Sequence, residues 1–341
     1  MDDNFTDLLE SLDTKNDMFI DIEYLIKYPI LMLSMFGFIT DIIHICVLLQ
    51  LSKSHPFSLC LIVLCVSDFF MLLSSFLIET VEIIRYVFSR NCFGYFSRID
   101  LVYKVIIESF HHFSHTMGSW ITVSMSLFQV LSLKHIWKLD WSRKATILVI
   151  TITVSVVSVL HVLVNISFAI VIRQLPYSEC DDTGLFQLYM LSNSNWMTEF
   201  CSFMVDITVY SHITKYFVLS FIMIYLLKLN RKQNGVDENI QRTSRLIFYL
   251  LLIDFTSETI NIVCRINFSV HADGKFAEQR SSVLPTKLTE LAQTVGAVFR
   301  PFVILAISKN NQETLKSFFV ISGGTMIAPA TSRRANSFIT Q

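Results

Sequence analysis

Arg300 stands in the middle of "VGAVFRPFVILAISKNNQ", residues 295–312, directly before Pro301, in a stretch otherwise apolar nearly throughout. Other ionisable groups are set into apolar surroundings in the same way: Asp41, Asp68, Glu258 and Glu290, with His111, His112 and His115 close together. Ionisable side chains in lipid-length apolar segments are expensive, so they mark ion pairs, ligand contacts or transport paths. His111 and His115 are four residues apart and share one face of a helix. They are either ligand contacts or polar packing between helices. Glu258 and Glu290 are candidate ligand carboxylates, and the alternative for Glu258 is a structural pair with Arg265, seven residues on.

Positioning these groups requires elements that cross a bilayer. The chain has 341 residues, 52% hydrophobic, 13% aromatic and only 16% charged, with a mean hydropathy of +0.53. Soluble domains carry about a quarter charged residues, so the composition indicates a membrane protein. A net charge of −1 gives nothing that would draw nucleic acid. A hydrocarbon core of about 30 Å needs roughly 20 apolar helical residues. Segments of that kind fall at 28–51, 57–79, 105–131, 145–172, 204–229, 244–267 and 284–307. The expected fold is an all-α bundle of seven transmembrane helices. The third and fifth spans are the most polar, carrying Glu108, the three histidines, Asp206, His212 and Lys215.

Lys and Arg are dense after the third span (Lys134, Lys138, Arg143, Lys144) and after the fifth (Lys228, Arg231, Lys232, Arg242, Arg245). Those loops are therefore cytoplasmic and the N-terminus is outside. The organisation expected is an acidic extracellular tail over 1–27, a membrane domain over 28–307, and a cytoplasmic segment over 308–341. No cleavable signal is visible, so the first span serves as its own targeting signal. Asn4, in "NFT", is an exposed glycosylation acceptor. Cys92 and Cys180 fall in the two outer loops before spans three and five, where a disulfide is permitted and two unrelated thiols are the alternative.

Three stretches carry a family resemblance. "ITDIIHICVLLQLSKSHPFSLCLIVLCVSDFFML" (39–72), "GSWITVSMSLFQVLSLK" (118–134) and "FRPFVILAISKNNQETLKSFF" (299–319) resemble helices one and two, the inner half of helix three, and helix seven with an eighth helix in the rhodopsin-like G-protein-coupled receptors. Among these, the Trp120 and Met125 spacing, "SD" at 67–68, Glu258 and "ISKNNQET" are most similar to nematode serpentine receptor class W. The resemblance covers about residues 25–320. It implies a plasma-membrane receptor with a short amphipathic eighth helix before a disordered tail, and an outer disulfide. It implies no enzyme activity, cofactor or metal, and as partners an extracellular peptide or other small cationic ligand and a heterotrimeric G protein.

The departures from that family are informative. The helix-one Asn becomes Asp41, the Asn before Pro in helix seven becomes Arg300, and the Tyr after it becomes Ile304. The Arg at the inner end of helix three becomes Gln129, the coupling position, and helix six has no Trp or Pro. In the resembled fold the positions of Asp41, Asp68 and Arg300 converge at mid-membrane, where a sodium ion often sits. The expectation is a buried triad in which Arg300 neutralises two carboxylates and replaces that ion. His111, His115, Glu258 and Glu290, with Trp196 and Asp206 near the outer entrance, are the expected ligand contacts. An acidic tail and "ECDD" (179–182) suit a cationic ligand.

Other classes are weaker. A zinc hydrolase needs its ligands on the inner half, and these histidines fall on the outer half. A retinal protein needs a mid-helix Lys where Thr294 stands, with Lys287 too near the outer end. A transporter has the same liking for intramembrane charge, yet neither an internal repeat nor paired broken helices are present. A receptor-like protein that binds without coupling remains the alternative that Gln129 favours.

Overall fold

The computed structural model describes residues 3–51, 57–88, 98–133, 143–169, 172–174, 189–191, 214–225, 228, 238–271, 283–308 and 311–316, with side chains over part of these. Their elements are α1 (Asp3–Leu51), α2 (Phe57–Phe88), α3 (Arg98–Leu133), α4 (Arg143–Ala169), β1 (Ile172–Gln174), β2 (Tyr189–Leu191), α5 (Thr214–Tyr225), α6 (Glu238–His271) and α7 (Val283–Ile307). Four are long and apolar enough to cross a membrane by length and composition: Leu25–Leu51, Phe57–Ile84, Arg242–Val263 and Lys287–Ile307. Each matches an expected span. Helices suit this setting because every backbone group is satisfied within its own segment.

Several helices are longer than hydropathy alone places them. The backbone of α1 is helical from Asp3, so the segment expected as a tail continues the first span. α2 continues nine residues beyond the expected limit of 79, to Phe88. The helical fold carries one short addition. β1 and β2 form an antiparallel ribbon in the register Ile172↔Leu191, Arg173↔Met190 and Gln174↔Tyr189, with β2 lying against α3. The paired strands satisfy part of each other's backbone groups across the ribbon.

The packing order around the bundle follows from shared surfaces. α1 lies against α2 and α7, α2 against α3 and α4, and α3 against α4 and α6, while α6 packs on α7. α5 joins α3 and α6, with Leu219 and Ile222 among Val123, Ile247 and Leu251. A second core runs through Leu48, Leu64, Met117, Ile121, Leu250 and Ile304 of α1, α2, α3, α6 and α7. The opposite faces carry exposed Met32, Phe36, Ile39, Ile43 and Leu49 on α1 and Leu148, Ile152 and Val159 on α4. Stripes of that size would be a hazard in water and are natural in lipid.

Gly37 sets the closest approach. A Cβ there would lie 2.7 Å from side-chain atoms of both Leu72 on α2 and Val298 on α7. Three helices therefore meet one turn from Asp41. Hydroxyls in the helices mostly turn onto their own backbone: Ser67 donates to the Val63 carbonyl, Ser74 to Phe70, Thr80 to Phe76 and Thr122 to Gly118. This i−4 bonding makes Ser and Thr self-sufficient in an apolar span. Charged groups have no such local solution, which leaves them to choose partners across helices.

Beyond α7 a further helical stretch covers 311–316. Ser308 Oγ accepts from the Asn311 amide at 3.4 Å, and Gln312 Nε2 donates to the carbonyls of Leu305 and Ala306 at 2.9 and 3.1 Å. These bonds occupy carbonyls that the end of α7 would leave open.

Candidate functional site

Charge gathers at two levels inside the bundle. At the central level Arg300 of α7 is 4% exposed and stands between Asp68 of α2 and Asp254 of α6, both 2% exposed. Nη1 donates to Asp68 Oδ1 and Nη2 to Asp254 Oδ1. A guanidinium is a rigid planar fork, so its two arms can serve acceptors on different helices. Arg300 thus ties α2 to α6 through α7, instead of gripping a single carboxylate with both arms.

Asp41 of α1 is buried at this level, but its two oxygens accept no hydrogen bond from any described residue. Asp68 and Arg300, expected together with Asp41, are in contact, and the second arm of Arg300 goes to Asp254. Asp254 lies in "LLLIDFTSE", one turn before Glu258, and meets the same criterion of a carboxylate within an apolar span. Comparing only helices one, two and seven passes it by. Near Asp41 lies His44, whose Nδ1 is 3.4 Å from Cys65 Sγ.

The second level lies at the end of the bundle where the apolar span of α2 (Phe57–Ile84) finishes and that of α1 (Leu25–Leu51), with α3 and α7, begins. Eleven residues separate Asp68 from Glu79, which puts this level about 16 Å along α2. Lys287 of α7 is buried and donates to Glu79, with Glu290 at 3.1 Å and Glu82 at 3.9 Å. Lys27 of α1 pairs with Glu82 at 2.9 Å. Lys104 of α3 is 3.3 Å from Glu82 and 3.5 Å from Glu108. Because these groups come from the beginning of the Leu25–Leu51 span in α1, the early part of α3 and α7, and the later part of α2, the network also fixes the alternating directions of the helices.

His111 lies beside this network, its Nδ1 3.1 Å from Ser75 Oγ and 3.3 Å from the Met71 carbonyl. The structure therefore brings His111 and Glu290 into one neighbourhood. His115, four residues further along α3, is buried. Glu79, Glu82 and Lys287 escape a sequence reading because they sit at span edges, where hydropathy assigns them to solvent. The continuation of α2 to Phe88 places the two glutamates within the bundle.

Glu258 belongs to neither level. It is 1% exposed and accepts from Lys215 of α5, itself 2% exposed. Pairing with Arg265, the alternative in sequence, would need a partner two turns away, about 10 Å along the same helix; a neighbouring helix supplies Lys215 directly. Tyr216 stacks on Phe255 beside this pair, with centroids 4.9 Å apart. At the other end of α3, the Gln129 amide donates to Ser244 Oγ of α6 at 3.0 Å. That is a neutral bond between α3 and α6. Cys92, Cys180, Trp196 and Asp206 lie outside the described residues, as does the side chain of Asn4. Among the described residues no group of His, Cys, Asp and Glu side chains is arranged to hold a metal ion.

The family model described as "Serpentine type 7TM GPCR chemoreceptor Srw" matches residues 27–322. Among curated proteins no match is found.

Proposed function

We propose, on the premise that the chain belongs to the serpentine Srw chemoreceptor family, that it is a plasma-membrane receptor which binds a neuropeptide or other small cationic ligand and passes that event to a heterotrimeric G protein. The family is one of multi-pass membrane receptors rather than enzymes. The proposed architecture has seven spans, an extracellular N-terminus, and an amphipathic eighth helix that includes 311–316. Cys92 and Cys180 form the outer disulfide and Asn4 carries a glycan. His111, His115, Glu258 and Glu290 line or flank the ligand path, with Trp196 and Asp206 at its entrance. Asp41, Asp68 and Arg300 form the mid-membrane ion cluster, which Asp254 extends.

The family match over most of the chain carries this reading. The charged network at one end of the bundle supports it, because it is the end that the Lys/Arg pattern assigns to the outside. The test is second-messenger output from cells expressing the full chain, without ligand and with a panel of amidated peptides. Gln129→Arg is measured beside it. Basal or evoked output from the unsubstituted chain supports coupling. Silence in both chains across G-protein classes overturns it.

A second reading, binding without coupling, has one observation in its favour. The Gln129–Ser244 bond is neutral where the resembled receptors carry an Arg. Output from Gln129→Arg alone would select that reading.

A further inference from the structure

Among the described residues, the network between α2 and α7 is short of one positive charge. Around its buried centre stand Lys27 and Lys287 against Glu79, Glu82 and Glu290, while Lys104 and Glu108 offset one another at the rim. The shortfall has a location. Glu79 is 0% exposed, and its Oε2 accepts no hydrogen bond from any described residue. Glu290 Oε1 is in the same condition. Both glutamates already share Lys287 through their other oxygens. A single ammonium thus holds two carboxylates on different helices, with one buried oxygen of each left over. A buried charge without compensation costs several kcal/mol, and among the described residues no hydroxyl bonds to either oxygen; neighbouring Ser74 and Thr80 donate to their own helix.

We propose that the missing cation is carried by the ligand: an ammonium or guanidinium that seats between α2 and α7 on Glu79 Oε2 and Glu290 Oε1. Lys287 stays in place as the bridge between the two carboxylates. This deepens the ligand reading above by naming the charged group and its anchors. Guanidinium suits the arrangement best, because its fork can serve two acceptors at once.

The experiment measures the melting temperature of the purified full-length protein in detergent. The probes are N-acetylated, C-amidated dipeptides, each prepared once with arginine and once with citrulline, its uncharged isostere. At least one arginine probe raises the melting temperature saturably and its citrulline counterpart does not. Glu290→Gln removes the surplus charge, so its melting temperature without probe is unchanged or higher, while half-saturation by arginine moves up about tenfold or more. A merely structural Glu290 would not move the two readouts in opposite directions. Glu79→Gln weakens the same probe.

Equal stabilisation by citrulline, no stabilisation by any arginine probe, or unchanged half-saturation in Glu79→Gln and Glu290→Gln would each overturn the proposal. The readout needs no G protein, so a protein that binds arginine but does not signal fails the coupling reading alone. Signalling evoked by an uncharged ligand and insensitive to both glutamate variants fails this inference alone.

Discussion

Replacing Arg300 with Met is the most direct perturbation of the central cluster. In the native arrangement one guanidinium serves Asp68 and Asp254, each 2% exposed, with Asp41 buried nearby. Removing it leaves three carboxylates in low dielectric without a cation among the described residues at that level. Breaking a buried ion pair by deleting one partner costs about 3–5 kcal/mol, a large share of a total stability of about 5–15 kcal/mol. Arg300→Met should therefore lose most of its surface expression. Removing the stranded acids as well should recover much of it, because replacing a whole buried pair with neutral groups is often close to neutral. The measurement is surface immunostaining per cell, with detergent melting temperature as a second readout. The series is Arg300→Met, then Arg300→Met with Asp41→Asn, then Arg300→Met with Asp68→Asn and Asp254→Asn. The last should recover more than the Asp41 double variant, because it frees the two carboxylates that Arg300 holds. Recovery equal to that of the single variant in every combination would refute the ion-pair reasoning and leave Arg300 as a packing residue.

Gly37→Val should destabilise the protein by about 1–3 kcal/mol, since the added branches meet Leu72 and Val298 where a bare Cβ already lies 2.7 Å away; a melting curve equal to the native one would show that α1, α2 and α7 adjust freely. Lys215→Met should cost about 3–5 kcal/mol and the double variant with Glu258→Gln markedly less, a difference read from melting temperatures of the three proteins. Ser244→Ala removes the acceptor of Gln129 Nε2 and should cost about 1 kcal/mol; basal second-messenger output reports whether the loss also loosens α6 from α3. Peptide mapping without reductant should recover Cys92 and Cys180 in one linked fragment, and separate fragments would remove the outer disulfide.

The elements themselves were legible wherever apolar residues ran long enough. Phe57–Ile84 and Lys287–Ile307 announce themselves by composition, and the charges they carry were visible as exceptions. Partner choice was much less legible. Arg300 could be matched to Asp68 by resemblance, but the claim of Asp254 over that of Asp41 depends on how α6 packs against α7. Glu258 illustrates the same limit, since Arg265 is the nearer cation in sequence and Lys215 the one in space. The edge residues Glu79, Glu82 and Lys287 were hidden by a different cause. Hydropathy averages over a window, and a charged network at a helix end looks identical to the start of a solvated loop.

Synthesis proceeds from the N-terminus, so α1, α2 and α6 exist before α7 does. Yet α7 brings Arg300 to the carboxylates of α2 and α6, and Lys287 to Glu79 at the end of α2. Until that last span arrives, acids on helices already made wait without these counter-charges. Among the described helices, α7 is thus the one whose arrival completes the ion pairs of both levels.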